Sequence, residues 1–530
     1  MVHVSPQVSE TKGRGGFRRL GDAVRPTKEL SLRTPDVLVL GAGTAGSIIT
    51  RRLLDAGLAV TLVDAGGLDT NPAIHDLSRV GELWLGPEDW GYFSAPQARA
   101  GGRRLHVPRG KVVGGSNQLN GTIWVHGSPW DYDQWAAAGN TGWDWESVSP
   151  LFKRIEAAGS DDGLLDVIEA DLTPIQQAIF DAAVSWGLPV NSDYNSGELD
   201  GVSRMKLNLR DGQRLSTWAA YMRPILDHPN LTLELGALVD SLIVRDDQVR
   251  GVRIIDSTGA GRELSAGLVV LSGGAIGSPT VLMRSGIGPE EHLRSLGIET
   301  IADVPGVGSN LQDHFLVPVI FGTDKPIDPP TPFGPVTQTH WFWRSGPGLP
   351  VPDTQPINFS VPFYYDEQMT GPASGFTLHA GLIRPHSTGT LRLADTDPSS
   401  TPIIDFNLFD DERDLQALVR SVRQCREVGM QSPLADEWGA YEALPGPDTD
   451  DSDEAIAGWV RRAVNTYHHQ AGTCRMGVDD NAVVTPDLRA TAVADLVIAD
   501  ASVMPSVTTG NTNAPTAMIA ERAAELIIAG

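Results

Sequence analysis

Short apolar runs alternate with helical patterns at the beginning of the chain. Val37 to Leu40 form an uninterrupted apolar run with the length of a buried parallel strand. A helical pattern follows through Leu54 and ends near Gly57, and a second apolar run extends from Leu58 to Val63. Because a strand, a helix and a strand follow one another directly, the pattern predicts one βαβ unit of a doubly wound α/β sheet.

The same alternation returns later in the chain. Leu268 to Leu271 is another strand-length apolar run, and it leads through glycines to a helix predicted over Ser278 to Ser285. Leu496 to Ala499 predicts a final strand, and Ala514 to Ile528 predicts a closing helix. The α/β domain therefore begins near residue 35 and is completed at the C-terminus, so it is discontinuous in sequence.

The middle of the chain has a different character. Residues 321 to 375 are dense in proline and interleaved with aromatic residues, which predicts a pocket wall or a lid loop. These aromatic residues either line the pocket or pack in a core, among them Trp341, Trp343, Tyr364 and Tyr365. Residues 376 to 394 alternate like sheet strands, and residues 410 to 430 carry an apolar stripe at helical spacing.

The turn after the first strand carries the pattern G-x-G-x-x-G, which spans Gly41, Ala42, Gly43, Thr44, Ala45 and Gly46. Gly41 permits a tight turn, Gly43 lets the backbone approach a pyrophosphate, and Gly46 lets the helix pack against the strand. The helix N-terminus offers unpaired N–H groups to phosphates, and Asp64 stands where a carboxylate accepts hydrogen bonds from ribose hydroxyls. The unit predicts a dinucleotide site, with FAD and NAD both open. The alternative is a turn that needs glycine for its conformation alone.

A second glycine-rich stretch runs from Pro108 to Gly121. Its polar, flexible composition predicts a loop whose backbone contacts a flat or charged group. The alternative is an ordinary surface turn.

The composition of the chain limits the classes of partner that it can bind. The 530-residue chain allows two or three domains, and its net charge of −25 argues against nucleic acid and anionic membrane as partners. No apolar run is long enough for a membrane span. Cys425 and Cys474 are the only cysteines, so no disulfide framework is expected and a cytoplasmic location fits best. Residues 1 to 34 are basic and poor in apolar runs, which predicts a flexible extension or a targeting segment.

Taken together, these motifs resemble those of the glucose–methanol–choline (GMC) oxidoreductases, a family of FAD-dependent alcohol oxidases and dehydrogenases. The resemblance covers nearly everything from residue 35 to residue 530, and the layout is most similar to the choline-dehydrogenase-like and 5-hydroxymethylfurfural-oxidase-like branch. Besides the βαβ unit, the matching segments are Gly110–Asp133, Gly274–Gly288, Pro305–His314, His469–Gly477, Asp500–Pro505 and Gly510–Thr516.

The resemblance implies an α/β fold with a discontinuous Rossmann-type FAD-binding domain and a substrate domain built on an antiparallel sheet flanked by helices. The FAD-binding domain is expected over residues 35 to 155, 205 to 315 and 465 to 530, and the substrate domain over residues 156 to 204 and 316 to 464.

The resemblance also assigns roles to single residues. His469 stands where the family has its active-site histidine, and Asn511 stands where it has a paired asparagine or histidine. Val239 falls where a backbone amide meets adenine. The expected cofactor-binding residues are Gly41, Gly43, Thr44, Ala45, Gly46, Asp64, Ala65, Arg109, Val113, Gly114, Gly115, Ser116, Asn117, Asn120, Gly121, Val239, Gly273, Asp500, Ala501, Asn511 and Thr512.

Four positions depart from the family pattern. Asn117 replaces a small hydroxyl residue, which puts one flavin contact in question. Leu119 stands where some relatives have a histidine bonded to flavin, so the FAD is expected to be non-covalent. His468 replaces an aromatic residue, and Gln470 replaces a proline.

The implied chemistry is oxidation of a primary alcohol to an aldehyde. A hydride goes to flavin N5, while His469 takes the hydroxyl proton and Asn511 orients the oxygen. Because adjacent residues on a strand face opposite ways, only one of His468 and His469 is expected to meet the flavin. No metal is expected, since two neighbouring histidines without a spaced carboxylate are poor ligands.

Several questions stay open at this stage. The substrate is a small alcohol, with an aryl or furanic group suggested by the aromatic middle of the chain, and the electron acceptor is oxygen or a quinone. The alternatives are a choline-type or sugar-type alcohol dehydrogenase, a hydroxynitrile lyase on the same scaffold, and a flavin-holding protein without turnover. The oligomeric state is open as well.

Overall fold

A parallel sheet of five strands forms the centre of the first domain. In the computed structural model, which describes residues 35–157, 163–330, 334–366 and 368–530, its strands in sheet order are Leu231–Leu235, Val60–Asp64, Val37–Leu40, Leu268–Leu271 and Leu496–Ile498. The extension predicted over residues 1 to 34 lies outside these described residues. The strand Val37–Leu40 pairs in parallel with a neighbour on each side, and all four of its residues are buried. Chain order reverses beside this strand, so the crevice for a ligand is expected at its carboxyl end, where Gly41 follows.

Helices from both ends of the chain cover the sheet. Thr44–Asp55 packs against the C-terminal helix Asn513–Ala529, which also packs against Trp145–Ile155. The fully buried carboxylate of Glu521 joins the three helices: Arg52 bonds both of its oxygens, and Arg154 pairs with one of them at 3.0 Å. A buried carboxylate needs such partners, and these close the discontinuous domain.

A second, antiparallel sheet of seven strands forms the other domain. In sheet order its strands are Ala440–Leu444, Phe315–Thr323, Gly375–Leu382, Ile357–Phe359, Thr337–Phe342 and Gly201–Arg204, with Asn465–Thr466 paired to Phe315–Thr323. The helices Glu412–Gly429 and Pro174–Trp186 pack against this sheet, and Asp453–Ala463 packs against the first of them. The predicted α/β fold, with a Rossmann-type domain and a helix-flanked antiparallel sheet, is confirmed. The exact segment boundaries stay predictions.

Smaller elements complete the two domains. A three-stranded antiparallel sheet comprises Leu238–Arg245, Gln248–Ile255 and Gly261–Ser265. Short strand pairs are Tyr92–Phe93 with His106–Val107, Ile168–Glu169 with Lys206–Leu207, Leu209–Arg210 with Gln213–Arg214, Ile287–Gly288 with Ala302–Asp303, and Thr390–Arg392 with Ile403–Asp405. The remaining α-helices are Pro72–His75, Pro129–Ala137, Gly274–Arg284, Glu290–Ser295 and Ser432–Trp438. Within the described ranges, none of the helices combines the length and the apolar character that crossing a bilayer requires.

One predicted helix begins earlier than its sequence pattern suggests. The helix predicted from Ser278 begins at Gly274, where Asp500, two residues beyond the neighbouring strand Leu496–Ile498, accepts hydrogen bonds from its first turn. The Asp500 carboxylate accepts hydrogen bonds from the Gly274 N–H group at 2.8 Å and from the Ser278 hydroxyl at 2.6 Å. This cap comes from a residue far away in sequence, so local propensity did not reveal it.

Candidate active site

A cavity of about 2100 Å³ extends from the carboxyl ends of the parallel strands to the antiparallel sheet. The turn that follows Val37–Leu40 lines one end of it, and His469, Asn511 and aromatic residues of the second domain line it as well. The cavity therefore joins both domains in one site.

The glycine turn has room for a ligand at one of its three glycines. A Cβ atom at Gly43 would meet only the Gly115 Cα atom, at 4.0 Å, and Gly43 lines the cavity, so the space beside it opens into the cavity. A Cβ atom at Gly46 would lie 1.8 Å from the carbonyl oxygen of Gly41, which itself has a φ of +108°. Gly46 thus serves helix packing and Gly41 serves the turn, while Gly43 is the one that a pyrophosphate can approach.

Asp64 closes this end of the cavity. One carboxylate oxygen accepts the Ala42 N–H group and the other accepts the Gly66 N–H group, both at 2.7 Å. Burial raises the pKa of Asp64, and the two hydrogen bonds oppose that rise. Each oxygen retains a lone pair, so the carboxylate can still accept hydrogen bonds from ribose hydroxyls.

Most of the predicted cofactor residues come together at the cavity wall. Those that line it are Gly41, Gly43, Thr44, Ala45, Asp64, Ala65, Arg109, Gly115, Ser116, Asn117, Asn120, Gly121, Val239, Gly273, Asp500, Ala501, Asn511 and Thr512. Gly46, Val113 and Gly114 do not line the cavity. The Gly114 N–H group donates to the Ala42 carbonyl at 2.7 Å and attaches the second glycine-rich stretch to the first turn. The Val113 N–H group donates to the Gly67 carbonyl and attaches the stretch to the loop after the strand Val60–Asp64.

The structure explains why position 117 carries an asparagine in place of a small hydroxyl residue. Its side-chain oxygen accepts the Thr217 N–H group at 3.0 Å, and its carbonyl accepts the buried Arg214 guanidinium at 2.9 Å. Arg214 also donates to the side-chain oxygen of Asn120 at 2.6 Å. The Asn117 side chain therefore fixes the loop that carries Arg214, a residue that the sequence analysis missed.

His468 and His469 both line the cavity. The strand alternation expected at these two residues is absent, because the strand Asn465–Thr466 ends before them and His468 has a left-handed φ of 68°. That only one of them meets the flavin stays a prediction. The His468 ring packs edge-on against Trp84, with its Nδ1 atom 3.2 Å from the Thr466 hydroxyl. His469 instead contacts Asn511, so of the two neighbours it is the one that meets a second polar group across the cavity.

The His469 ring is held at each of its polar atoms. Its Nδ1 atom lies 2.9 Å from Nδ1 of His314, and its Nε2 atom lies 3.1 Å from Nδ2 of Asn511. The backbone N–H group donates to the carboxylate of Asp313 at 2.7 Å, and the Tyr467 ring stacks on the imidazole at 4.5 Å. His314 and Asp313 belong to the Pro305–His314 segment, so a sequence signal for them existed although no role was assigned.

These contacts indicate which ring nitrogen of His469 is basic. Burial lowers the pKa of His469 well below that of free imidazole and lowers the pKa of His314 to about 3, so both rings are neutral near pH 7. Because the Asn511 amide group donates to Nε2 of His469, that nitrogen carries the lone pair. The proton then resides on Nδ1 and is donated to His314, which fixes the tautomer.

Aromatic residues form much of the remaining cavity wall. Among them are Trp84, Phe359, Phe363, Tyr364, Tyr365 and Tyr467. Trp341 is instead fully buried in the core, where its indole N–H group donates to Gln424 at 2.9 Å. The aromatic residues noted in the sequence thus divide between the pocket and the core.

Comparison with known proteins identifies the family. Two family models, both described as GMC oxidoreductase, match residues 35–316 and residues 385–520. The chain belongs to the GMC oxidoreductase family.

Similar GMC oxidoreductases cover nearly the whole chain. An oxygen-dependent choline dehydrogenase from Photobacterium profundum is 33% identical, covering 93% of each chain, and one from Rhizobium johnstonii is 34% identical, covering 93% of this chain and 95% of the relative. The crystal structure of pyridoxine 4-oxidase, given as from Mesorbium loti, is 32% identical with a TM-score of 0.88, covering 93% of this chain and 99% of that one. The choline-dehydrogenase-like branch predicted from the sequence is confirmed, and this GMC oxidoreductase is an FAD-binding oxidoreductase acting on CH–OH donors.

Proposed function

We propose that this chain oxidises a primary alcohol with an aryl or furanic group to the aldehyde. The observation that supports this best is the pairing of His469 Nε2 with Asn511 Nδ2, 3.1 Å apart on the cavity wall. A base and a hydrogen-bond donor side by side suit a hydroxyl group that must lose its proton in a fixed orientation.

FAD fits the nucleotide end of the cavity. Gly43 leaves open the space that a pyrophosphate needs, and Asp64 retains capacity for ribose hydroxyls. When bound, FAD supplies the acceptor for the hydride that leaves the carbinol carbon. Leu119, which lines the cavity, has no atom that can bond to flavin, so the FAD is proposed to be non-covalent.

Residues of the protein itself accept the hydroxyl proton and orient the alcohol. His469 takes the hydroxyl proton at Nε2, and its Nδ1–H group remains bonded to His314 while the ring becomes positive. In the proposed complex the alcohol hydroxyl replaces the Asn511 N–H group at Nε2 of His469, and the Asn511 amide donates to the alcohol oxygen instead. This bond strengthens as charge develops on the oxygen. The aromatic wall excludes water and provides a flat surface for an aryl ring.

A panel of alcohols tests the proposal. Anaerobic addition of a benzylic or furanic alcohol to the yellow enzyme is expected to bleach the flavin, and acid precipitation is expected to release FAD into the supernatant. Choline belongs in the panel, because an aromatic wall also suits a quaternary ammonium group and the similar dehydrogenases are named for choline. Bleaching by choline alone would overturn the aryl assignment. Admitting air or a quinone to the reduced enzyme then separates the two proposed acceptors.

The location of the protein is proposed to be cytoplasmic. Cys425 and Cys474 are both buried and free, as expected in a reducing compartment. Fractionation of cells that express the full chain would check this, and recovery outside the cytoplasm would contradict it.

Asn511→Ala is expected to slow the limiting rate of anaerobic flavin reduction by about 100-fold, the usual cost of removing one donor from developing negative charge. The FAD content should stay that of the unaltered enzyme, because the change removes an amide at the substrate side of the wall. Stopped-flow absorbance at saturating alcohol measures the rate. An unchanged rate would remove Asn511 from the mechanism.

His468→Ala is expected to slow reduction by less than about tenfold, well below the effect of losing an acid–base group. The His468 ring contacts Trp84 and Thr466, and burial lowers its pKa to about 3, so it stays neutral and acts as part of the wall. The same stopped-flow measurement applies. A larger loss than in His469→Ala would identify His468 as the base.

A further inference from the structure

A buried glutamine lies directly behind Asn511. Gln355 is fully buried and does not line the cavity. Its backbone N–H group donates to the Gly381 carbonyl at 3.0 Å, and a Cβ atom at Gly381 would lie 2.2 Å from the Gln355 carbonyl oxygen. The two segments approach this closely because residue 381 is glycine, and the hydrogen bond between them anchors the backbone from which the Gln355 side chain extends.

Each of the two N–H groups of the Gln355 side-chain amide has its own acceptor. Its Nε2 atom lies 3.0 Å from Oδ1 of Asn511 and 3.0 Å from Nδ1 of His340. His340 is fully buried, and burial lowers its pKa to about 3, so this ring is neutral and Nδ1 can accept. The rings of Tyr194 and Phe342 pack edge-on against His340 at 4.5 and 5.1 Å, which prevents the ring from turning away.

These bonds give the network a single direction. Gln355 donates to Oδ1 of Asn511, and Asn511 can then offer only its NH₂ group to Nε2 of His469. Reversing Gln355 alone would place two amide oxygens about 3 Å apart, which is repulsive. Reversing the whole chain of bonds would place the Gln355 NH₂ group at the buried position of Oε1, where the described residues offer no hydrogen-bond partner, and an unpaired buried donor is costly. Among the described residues, the Gln355 Oε1 atom has no hydrogen-bond partner, so the amide gains nothing at its oxygen and is oriented by the two acceptors of its NH₂ group.

We propose that Gln355 is a positioning residue that holds the Asn511 amide with its NH₂ group toward His469 and the reacting hydroxyl. Gln355 acts only through Asn511 and touches neither alcohol nor FAD. The proposal rests on the proposed function for its effect on rate, whereas the orientation itself can be measured without any substrate.

The orientation is tested on the holoenzyme by ¹⁵N NMR with labelled histidine. In the unaltered enzyme, His469 is expected as the tautomer protonated at Nδ1, with Nε2 unprotonated, and comparison with His469→Ala assigns its signals. A His469 ring protonated at Nε2 would overturn the proposal. Because no alcohol is involved, this result stands even if no alcohol in the panel reduces the flavin, an outcome that would refute only the proposed function.

The effect on rate is tested with Gln355→Leu and Gln355→Glu. Leucine removes both N–H bonds at similar volume, and the limiting rate of anaerobic reduction is expected to fall by about 10- to 100-fold, because a misplaced donor costs up to that much. Glutamate accepts from the Asn511 NH₂ group and reverses it, so its effect should be at least as large. Gln338→Leu is the matched control, since Gln338 is buried in the same sheet and donates and accepts elsewhere.

A double-mutant cycle distinguishes a positioning role of Gln355 from a general disturbance of the structure. In the Asn511→Ala background, Gln355→Leu is expected to change the rate by less than about twofold, because the amide that it orients is already absent. The same loss in both backgrounds would overturn the proposal, as would an unchanged rate in the single variant. If Gln355→Glu fails to fold, the leucine variant and the NMR measurement still decide.

Discussion

His469→Ala is expected to slow anaerobic flavin reduction by about 10²- to 10⁴-fold while the protein retains its FAD. The variant loses the Nε2 atom, which lies 3.1 Å from Asn511 and carries the lone pair that accepts the hydroxyl proton in the proposed mechanism. The nucleotide end of the cavity, around Gly43 and Asp64, is built from other elements, so flavin binding should survive. Stopped-flow absorbance measures the reduction, and the visible spectrum measures the bound flavin.

The pH dependence of the unaltered enzyme provides an independent check on the same residue. The base must be neutral to accept a proton, and burial lowers the pKa of His469 well below that of free imidazole. The limiting rate should therefore stay on its plateau as the pH falls through 6.5 and should decline only at lower pH. A rate that already declines above neutral pH would indicate a base with an ordinary or raised pKa. Reduction by His469→Ala at the unaltered rate would remove the residue from the mechanism.

His314→Phe serves as a companion control for the His469 experiment. It keeps a flat ring beside His469 and removes the acceptor of the Nδ1–H group, so the tautomer is no longer fixed. A loss smaller than that of His469→Ala would agree with a supporting role, and a loss that equals it would show that the two rings act as one unit.

The parts of the fold that were predictable from sequence are those set by local pattern. The apolar runs at Val37 and Leu268 and the glycines between strand and helix depend on neighbours only a few residues away. The strand predicted from Leu58 begins two residues later, at Val60, because the Leu58 N–H group still bonds the end of the preceding helix at Leu53. Such boundary shifts arise where two local structures compete for one backbone group.

The parts of the site that were not predictable depend on tertiary contacts. His314 and His469 are 155 residues apart in sequence, and Gln355 and Asn511 are 156 apart, so no spacing rule brings them together. The strand alternation expected at His468 and His469 was wrong for a different reason. One left-handed residue ends the alternation of a strand, and a non-glycine residue in that conformation leaves no clear trace in the sequence.

Gly43→Val is expected to give a folded protein that purifies without flavin, with its affinity for FAD reduced by at least about 100-fold, or about 2.7 kcal/mol. The Cβ atom of the new side chain would meet only the Gly115 Cα atom at 4.0 Å, so the backbone can carry a side chain at this position. Its methyl groups would instead occupy the space through which a pyrophosphate approaches the helix N-terminus. Absorbance of the purified protein and titration with FAD measure the loss.

Two other glycines make the Gly43 experiment specific. Gly458→Val, on the exposed face of the helix Asp453–Ala463 with no atom near its added side chain, should keep the full flavin content. Gly46→Val should fail to fold, because even its Cβ atom would lie 1.8 Å from the Gly41 carbonyl oxygen. Circular dichroism distinguishes the two kinds of failure, since the Gly43 variant keeps its secondary structure and the Gly46 variant does not. A Gly43→Val protein that stays yellow with unchanged affinity would show that FAD does not approach the chain at this turn, and the assignment of the nucleotide end would then have to be abandoned.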